Sequence, residues 1–360
     1  MSHVIRTARF AVALALVGPL AAGPAALRAQ EPERFAFSDD EVAIYNLAGA
    51  VSVVAGGGSS VVVELSRGGG GAGELRVETG RIDGRQTLRV VYPTDRVVYP
   101  ELGRGSRTSV RIRGDGTFYG NDGDWFGGRG DRVTIAGSGR GLEAFADLRI
   151  AVPEGKRVSV YLGAGRATIA NVNGAVAIKT RIGSIEAAGT RGSLALDTGS
   201  GAVSVRDAEG EVDVDTGSGG VDVFGVRGAR LHVDTGSGRV EGGDIAVDGL
   251  DVDTGSGSIE LDGVRSTDIR LDTGSGSVRL ALLDDVRNLE IDTGSGSVTL
   301  AVPAALSARL ELDTGSGGIE ADLPLRVLRS ERNYLLAQAG QGDGSIRVDT
   351  GSGGIRIRAN

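Results

Sequence analysis

From residue 194 to the end of the chain, apolar and polar positions alternate in a pattern that returns to one address eight times. Leu194, Val212, Leu231, Leu250, Ile269, Leu289, Leu310 and Ile346 are each followed two residues later by Leu196, Val214, Val233, Val252, Leu271, Ile291, Leu312 and Val348. The position between them is Ala195, Asp213, His232, Asp251, Arg270, Glu290, Glu311 or Arg347, mostly polar. A period of two is that of a strand with one face buried. Seven residues beyond the second apolar position the alternation resumes at Val203, Val221, Val240, Ile259, Val278, Val298, Ile319 and Ile355. Each unit therefore predicts two short strands joined by a corner.

The corner is the string DTGSG, beginning at Asp197, Asp215, Asp234, Asp253, Asp272, Asp292, Asp313 and Asp349, at intervals of 18, 19, 19, 19, 20, 21 and 36. Weaker copies in KTRIGSIE and YLGAGRAT place Gly183 and Gly165 18 and 36 residues before Gly201. The return connections, such as FGVRGAR from Phe224 or AVPAALSAR from Ala301, absorb all the length variation. Strands this short at this spacing bury their apolar faces by stacking coil on coil, each Val above the next. The expected fold is all-β: a single-chain parallel β-solenoid of 18–20 residues per coil, right-handed because parallel crossovers overwhelmingly take that hand. Ten visible coils at about 4.8 Å give a rod on the order of 50 Å long.

The rest of the chain follows the same grammar less regularly. Residues 1–29 read as a signal peptide: Arg6 and Arg9 precede an apolar run over 10–20, small residues lead to Ala29, and Gly18, Pro19, Gly23 and Pro24 interrupt the run too early for a membrane anchor. Residues 30–160 read as irregular N-terminal coils, with apolar runs at 51–54, 61–65, 75–77, 88–92, 133–135 and 148–152 and a Gly/Arg/aromatic insertion at about 93–131. Regular repeats fill 161–322. Residues 323–360 break the register and return to it, a capping segment followed by the last coil; a cap is expected because an open sheet edge invites uncontrolled pairing.

Composition narrows the chemistry. The chain of 360 residues has 61 Gly, no Cys and two His, His3 and His232. Disulfides, thiolate metal sites and cysteine nucleophiles are excluded. The net charge of −8 is uneven: residues 197–360 hold 28 acidic against 15 basic side chains, −13, and the preceding residues sum to +5. Removing Arg6, Arg9 and Arg28 with the signal takes the mature chain to −11. That surface argues against nucleic acid as a partner, since phosphate neutralisation needs clustered Lys and Arg. No later stretch is long and apolar enough for a transmembrane span.

Asp-Thr-Gly-Ser is also the aspartic-protease signature, but that enzyme needs two carboxylates meeting across a dyad, whereas eight copies at 19-residue spacing form a column. The expected role of the motif is structural: Asp accepts corner N–H groups as an Asx turn, both glycines take positive φ, and the hydroxyls bond along their columns. A calcium site along Asp197, Asp215, Asp234, Asp253, Asp272, Asp292, Asp313 and Asp349 is the lesser alternative. Calcium-binding solenoids place Asp after the Gly turn, and here it precedes it. The Thr column is one file wide at a corner, too narrow for a surface that binds ice. Arg270, Arg279 and Glu290 carry no feature that sets them apart as a polysaccharide-cleaving cluster, and His232 has no Ser or Asp partner peculiar to it. No metal, cofactor or catalytic residue is assigned. Exposed aromatic residues are what interfaces and sugar-stacking sites use, so Tyr119, Trp125 and Phe126 are the candidate contact residues; the competing reading has the aromatic segment folding back over the first coils.

These features together resemble a known family, the bacterial exported β-strand-repeat adhesin-like proteins, a domain of unknown function. The resemblance rests on NLAGAVSVVAGGGSSVVVEL from Asn46, AVPEGKRVSVYLGAGRATI from Ala151, the DTGSGSIELDG repeat and the ending GDGSIRVDTGSGGIRIR from Gly342. It implies an envelope, periplasmic or extracellular location and a non-enzymatic adhesin or scaffold role, with cell-surface glycans or envelope proteins as partners. The competing classes are a β-helical polysaccharide-acting enzyme and an envelope-stress sensor module. The segment at 93–131 departs from the family pattern.

Overall fold

The computed structural model describes residues 32–119 and 130–360. Strands make up nearly all of its regular structure, and the only helical turns among the described residues are two three-residue 3₁₀ segments, Ala72–Glu74 and Pro100–Leu102. The predicted alternation is realised. Leu196, Val214, Val233, Val252, Leu271, Ile291, Leu312 and Val348 are all buried, as are their partners two residues earlier. The strand begun by Val240 continues unbroken to Thr254, so in that repeat the return connection is itself extended.

Two columns of strands run through the molecule. In the longer-strand column the repeats pair parallel and in register, so that Asp197 lies opposite Asp215, and Asp234, Asp253, Asp272 and Asp292 follow in turn. In the shorter-strand column Val203, Val221, Val240, Ile259, Val278 and Val298 stack in the same way. The columns extend upstream through the weak copies, with Lys179 beside Asp197, Tyr161 beside Lys179 and Tyr45 beside Tyr161. Residues 41–55 therefore belong to the same stack.

The sheet is mixed, and this corrects the expectation of a wholly parallel coil. At the N-terminal side Val61–Gly68 pairs antiparallel with Glu33–Phe37 and with Phe145–Val152, and Arg76–Ile82 pairs antiparallel with Arg85–Val91. At the C-terminal side Tyr334–Ala339 runs antiparallel to both Ala308–Thr314 and Arg326–Ser330. Arg96–Val98, Arg107–Ile112, Asp131–Ala136 and Leu142–Glu143 form a separate four-stranded sheet.

Stacking order also departs from chain order at both ends. Gly344–Thr350 does not follow Ala308–Thr314 but inserts between it and Asn288–Thr293, so the column ends Asp292, Asp349, Asp313. Likewise Glu41–Ala48 lies between Arg85–Val91 and Arg157–Ala164, and Val51–Ala55 between Phe145–Val152 and Ala167–Ala170. The first and last coils of the stack are each tucked one rung inside it.

Candidate functional site

The repeated corner is the feature most laden with polar groups. Alternation carries through it: Leu196 points in, Asp197 out and Thr198 in. All eight corner threonines, Thr198 to Thr350, are at most 1% exposed. Each hydroxyl donates to a glycine carbonyl of the neighbouring rung, from Thr198 to Gly183 at 3.1 Å through Thr273 to Gly257 at 2.8 Å and Thr350 to Gly296 at 2.9 Å. In the later rungs the same oxygen also accepts an N–H three residues on, as from Gly276 to Thr273 at 2.9 Å and from Gly353 to Thr350 at 3.0 Å. From Thr254 onward the result is a relay in which hydroxyl and glycine alternate along the corner.

Two expectations for this motif are corrected. From Gly257 onward the corner N–H is accepted by Thr, and that of Gly201 by the Ser218 carbonyl; no Asx turn is formed by the eight aspartates among the described hydrogen bonds. The second glycine has positive φ only at Gly201 and Gly219. What excludes a side chain is proximity: a Cβ on Gly257 would lie 1.7 Å from the carbonyl oxygen of Gly238, and one on Gly276 1.8 Å from that of Gly257. Rung spacing at the corner leaves room for backbone alone.

The aspartates line the outer side of the corner as one file, headed by Lys179, whose Nζ lies 2.8 Å from Asp197 Oδ2. The other oxygen, Oδ1, is buried with no hydrogen-bond partner among the described residues. Burial pushes the Asp197 carboxyl up to about 6 in spite of Lys179, which pulls the other way. Burial and then the neighbouring carboxylates also raise Asp215, Asp253 and Asp292. A file of like charges one rung apart favours protonation, as paired carboxylates do. Among the described residues no group of three or more His, Asp or Glu is drawn together closely enough to hold a metal ion.

The remaining predicted residues are scattered. Arg279 pairs with Glu260, whereas Arg270 and Glu290 are register neighbours on the outer face. His232 Nδ1 is 3.3 Å from Asp251 Oδ2, an ion-pair distance off the hydrogen-bond direction. Tyr119 is 8% exposed, edge-on to Phe118 with ring centroids 5.1 Å apart, and Lys179 Nζ lies 5.8 Å from its ring centre. Phe118 in turn packs on Tyr45, which stacks on Tyr161 at 4.6 Å. This part of the aromatic segment folds over the first coils. Trp125 and Phe126 lie outside the described residues.

Sequence reasoning missed a basic cleft on the four-stranded sheet. Arg96, Arg107 and Arg132 line an open cavity of about 750 Å³ together with Arg181 of the main stack. Strand alternation within 96–136 carries the signal, since it sends Val97, Val133 and Ile135 inward and leaves the arginines out.

The sequence profile of Toastrack DUF4097 matches residues 154–358, more than half of the chain. The chain belongs to the Toastrack DUF4097 family. The Toastrack match begins at the turn before the regular stack and ends within its last strand. No curated protein matches the sequence. A crystal structure of a "putative cell adhesion protein" from Clostridium sporogenes aligns with 92% of this chain and 100% of its own at 11% identity, with a TM-score of 0.20, too loose an overlap to carry an argument. No helix among the described residues is long and apolar enough to cross a membrane.

Proposed function

We propose that this Toastrack protein is an exported, non-enzymatic binding scaffold of the cell envelope, adhesin-like in role, delivered by cleavage of the signal after Ala29. Its coil is right-handed, and its partners are surface glycans or envelope proteins. The observation that carries the reading is the use made of the repeated polar groups. Each corner threonine is buried and engaged in rung-to-rung hydrogen bonds, as between Thr293 and Gly276 at 2.9 Å. Every copy of the repeated motif therefore serves the stack through its threonine. What is left for function is the outer surface of a rigid stack, which suits display and binding.

A glycan array combined with a reducing-sugar release assay tests this reading. Binding without product supports a scaffold; product from any bound polysaccharide overturns it in favour of a β-helical enzyme. Fractionation of cells expressing an epitope-tagged chain tests the envelope location, and recovery in the cytosol refutes it.

A further inference from the structure

We propose that the cleft beside the four-stranded sheet binds an anionic polysaccharide, with Arg96, Arg107 and Arg132 gripping its acidic groups. The inference rests on the reading of the chain as a binding scaffold and gives that scaffold a site and a ligand class.

The arginines come from three different strands, Arg96–Val98, Arg107–Ile112 and Asp131–Ala136. Pairing brings them together: Arg96 is opposite Thr134, Thr134 opposite Ser109, and Arg107 two positions along the same face. Arg96, Arg107 and Arg132 are all exposed. None of these three is within ion-pair distance of a carboxylate among the described residues, whereas Arg67, Arg191, Arg227, Arg279 and Arg356 all are. With Arg181 also in the lining and Asp95 the lone acid among the described lining residues, these residues make the cleft positive on a chain whose net charge is −8. An opposite-signed pocket on an acidic body focuses field and steers anions into it.

The lining decides among anions. Ser109 and Thr134, on the same strand face as the arginines, add hydroxyls to the lining, suited to sugar hydroxyls as well as acid oxygens. Among the described residues no aromatic side chain lines the cleft, so they supply no stacking platform of the kind that single-stranded nucleic acid uses. Nor do the described lining residues offer an apolar wall for an acyl chain. A polymer of acidic sugars meets all three conditions, and a cavity of about 750 Å³ is in the range of ligand pockets.

The test uses the mature chain with fluorescently labelled oligosaccharides of matched length. Polygalacturonate supplies carboxylates, heparin supplies sulfates, dextran is neutral, and a single-stranded DNA oligonucleotide represents the nucleic-acid class. The triple variant Arg96→Gln/Arg107→Gln/Arg132→Gln is compared with a charge-matched control, Arg34→Gln/Arg309→Gln/Arg358→Gln, and thermal melts confirm that both fold. The expected result is binding of at least one acidic saccharide that weakens roughly tenfold or more in the triple variant, stays within about threefold of wild type in the control, and falls with added salt. Preference between polygalacturonate and heparin identifies the acid group. Equal loss in both variants, tighter binding of DNA than of any saccharide, or binding of dextran alone overturns the site. Binding of dextran alone leaves the scaffold reading standing, whereas hydrolysis of a bound saccharide removes that reading and leaves the arginine site to be judged by the variants.

Discussion

Replacing Thr273 by Val removes one oxygen and keeps the shape, so it isolates the corner relay. The hydroxyl donates to the Gly257 carbonyl at 2.8 Å and accepts the Gly276 N–H at 2.9 Å. Thr273 is fully buried, and Gly276 N–H has no other described partner. Leaving a buried donor and a buried acceptor unmade costs about 1–3 kcal/mol each, and burying a methyl in place of the hydroxyl returns up to about 1 kcal/mol. The net expected loss is about 2–3 kcal/mol. Thr216 is the internal control, because it makes one such bond, to Gly201 at 3.3 Å; Thr216→Val should cost about 1 kcal/mol. A stacked protein need not unfold in two states, so local hydrogen exchange is the sharper assay. Protection of the Gly276 amide should fall by roughly thirtyfold in Thr273→Val, a factor that corresponds to about 2 kcal/mol. If the two variants lose equal stability, or if Gly276 keeps its protection, the relay is not what holds the corner.

Three further outcomes follow from the same geometry. Gly257→Ala should cost more than about 3 kcal/mol or prevent folding, because its Cβ meets the Gly238 carbonyl at 1.7 Å, while Gly318→Ala, with nothing within 4 Å, should stay within about 1 kcal/mol; urea denaturation separates them. Asp197 is raised from 3.8 to about 6, so the folded chain binds more protons than the unfolded chain between those values, and stability should fall as pH rises through that window. The change is on the order of 2–3 kcal/mol, read as melting temperature against pH, and Asp197→Asn should flatten most of it. Arg347→Glu puts three acids in succession along one file and should lower stability by about 1 kcal/mol, more at low salt; an effect independent of salt would refute the electrostatic account.

The regular stack was legible because a two-residue period repeated at one address specifies both strand and face. Leu194 and Leu196 need only be counted to be placed inside. The same period, carried one residue past the aspartate, would have turned Thr198 inward as well. Treating the corner as a turn with its own rules hid this, and with it the identity of the N–H acceptor. Glycine was expected for its freedom at positive φ, whereas Gly238, Gly257 and Gly276 are required by the closeness of the neighbouring rung, a property of the stack that no single repeat contains. KTRIGSIE showed that Lys179 stands where later repeats have Asp, but only register reveals that it lies against Asp197 and heads the file of carboxylates. The basic cleft was legible only in part: alternation leaves Arg96, Arg107 and Arg132 facing out, but only strand pairing shows that they share one face.

Chain order suggested that the last DTGSG ends the stack, and cross-strand charge explains why it does not. On the outer face the file runs Asp251, Arg270, Glu290, Arg347, Glu311, alternating in sign at every step. Had the coils stacked in chain order, Glu290 would face Glu311 directly, and like charges in that position are destabilising. On the shorter strands the inserted coil brings Arg356 Nη2 to 2.7 Å from Glu320. Each exposed pair is worth only a few tenths of a kcal/mol to about 1 kcal/mol, so charge selects the register of the last coil while Ile346, Val348, Ile355 and Ile357, all buried, supply the stability. In the longer-strand column Ala308–Thr314 is then paired on both edges and the free edge moves out to Arg326–Ser330, where Arg326 and Arg329 discourage further pairing beside the exposed Val327 and Leu328. The N-terminal side repeats the arrangement, with Glu41–Ala48 enclosed and the charged Arg76–Ile82 outermost. A stack built from identical rungs would otherwise extend without limit, and enclosing its first and last coils behind antiparallel hairpins gives it a defined length.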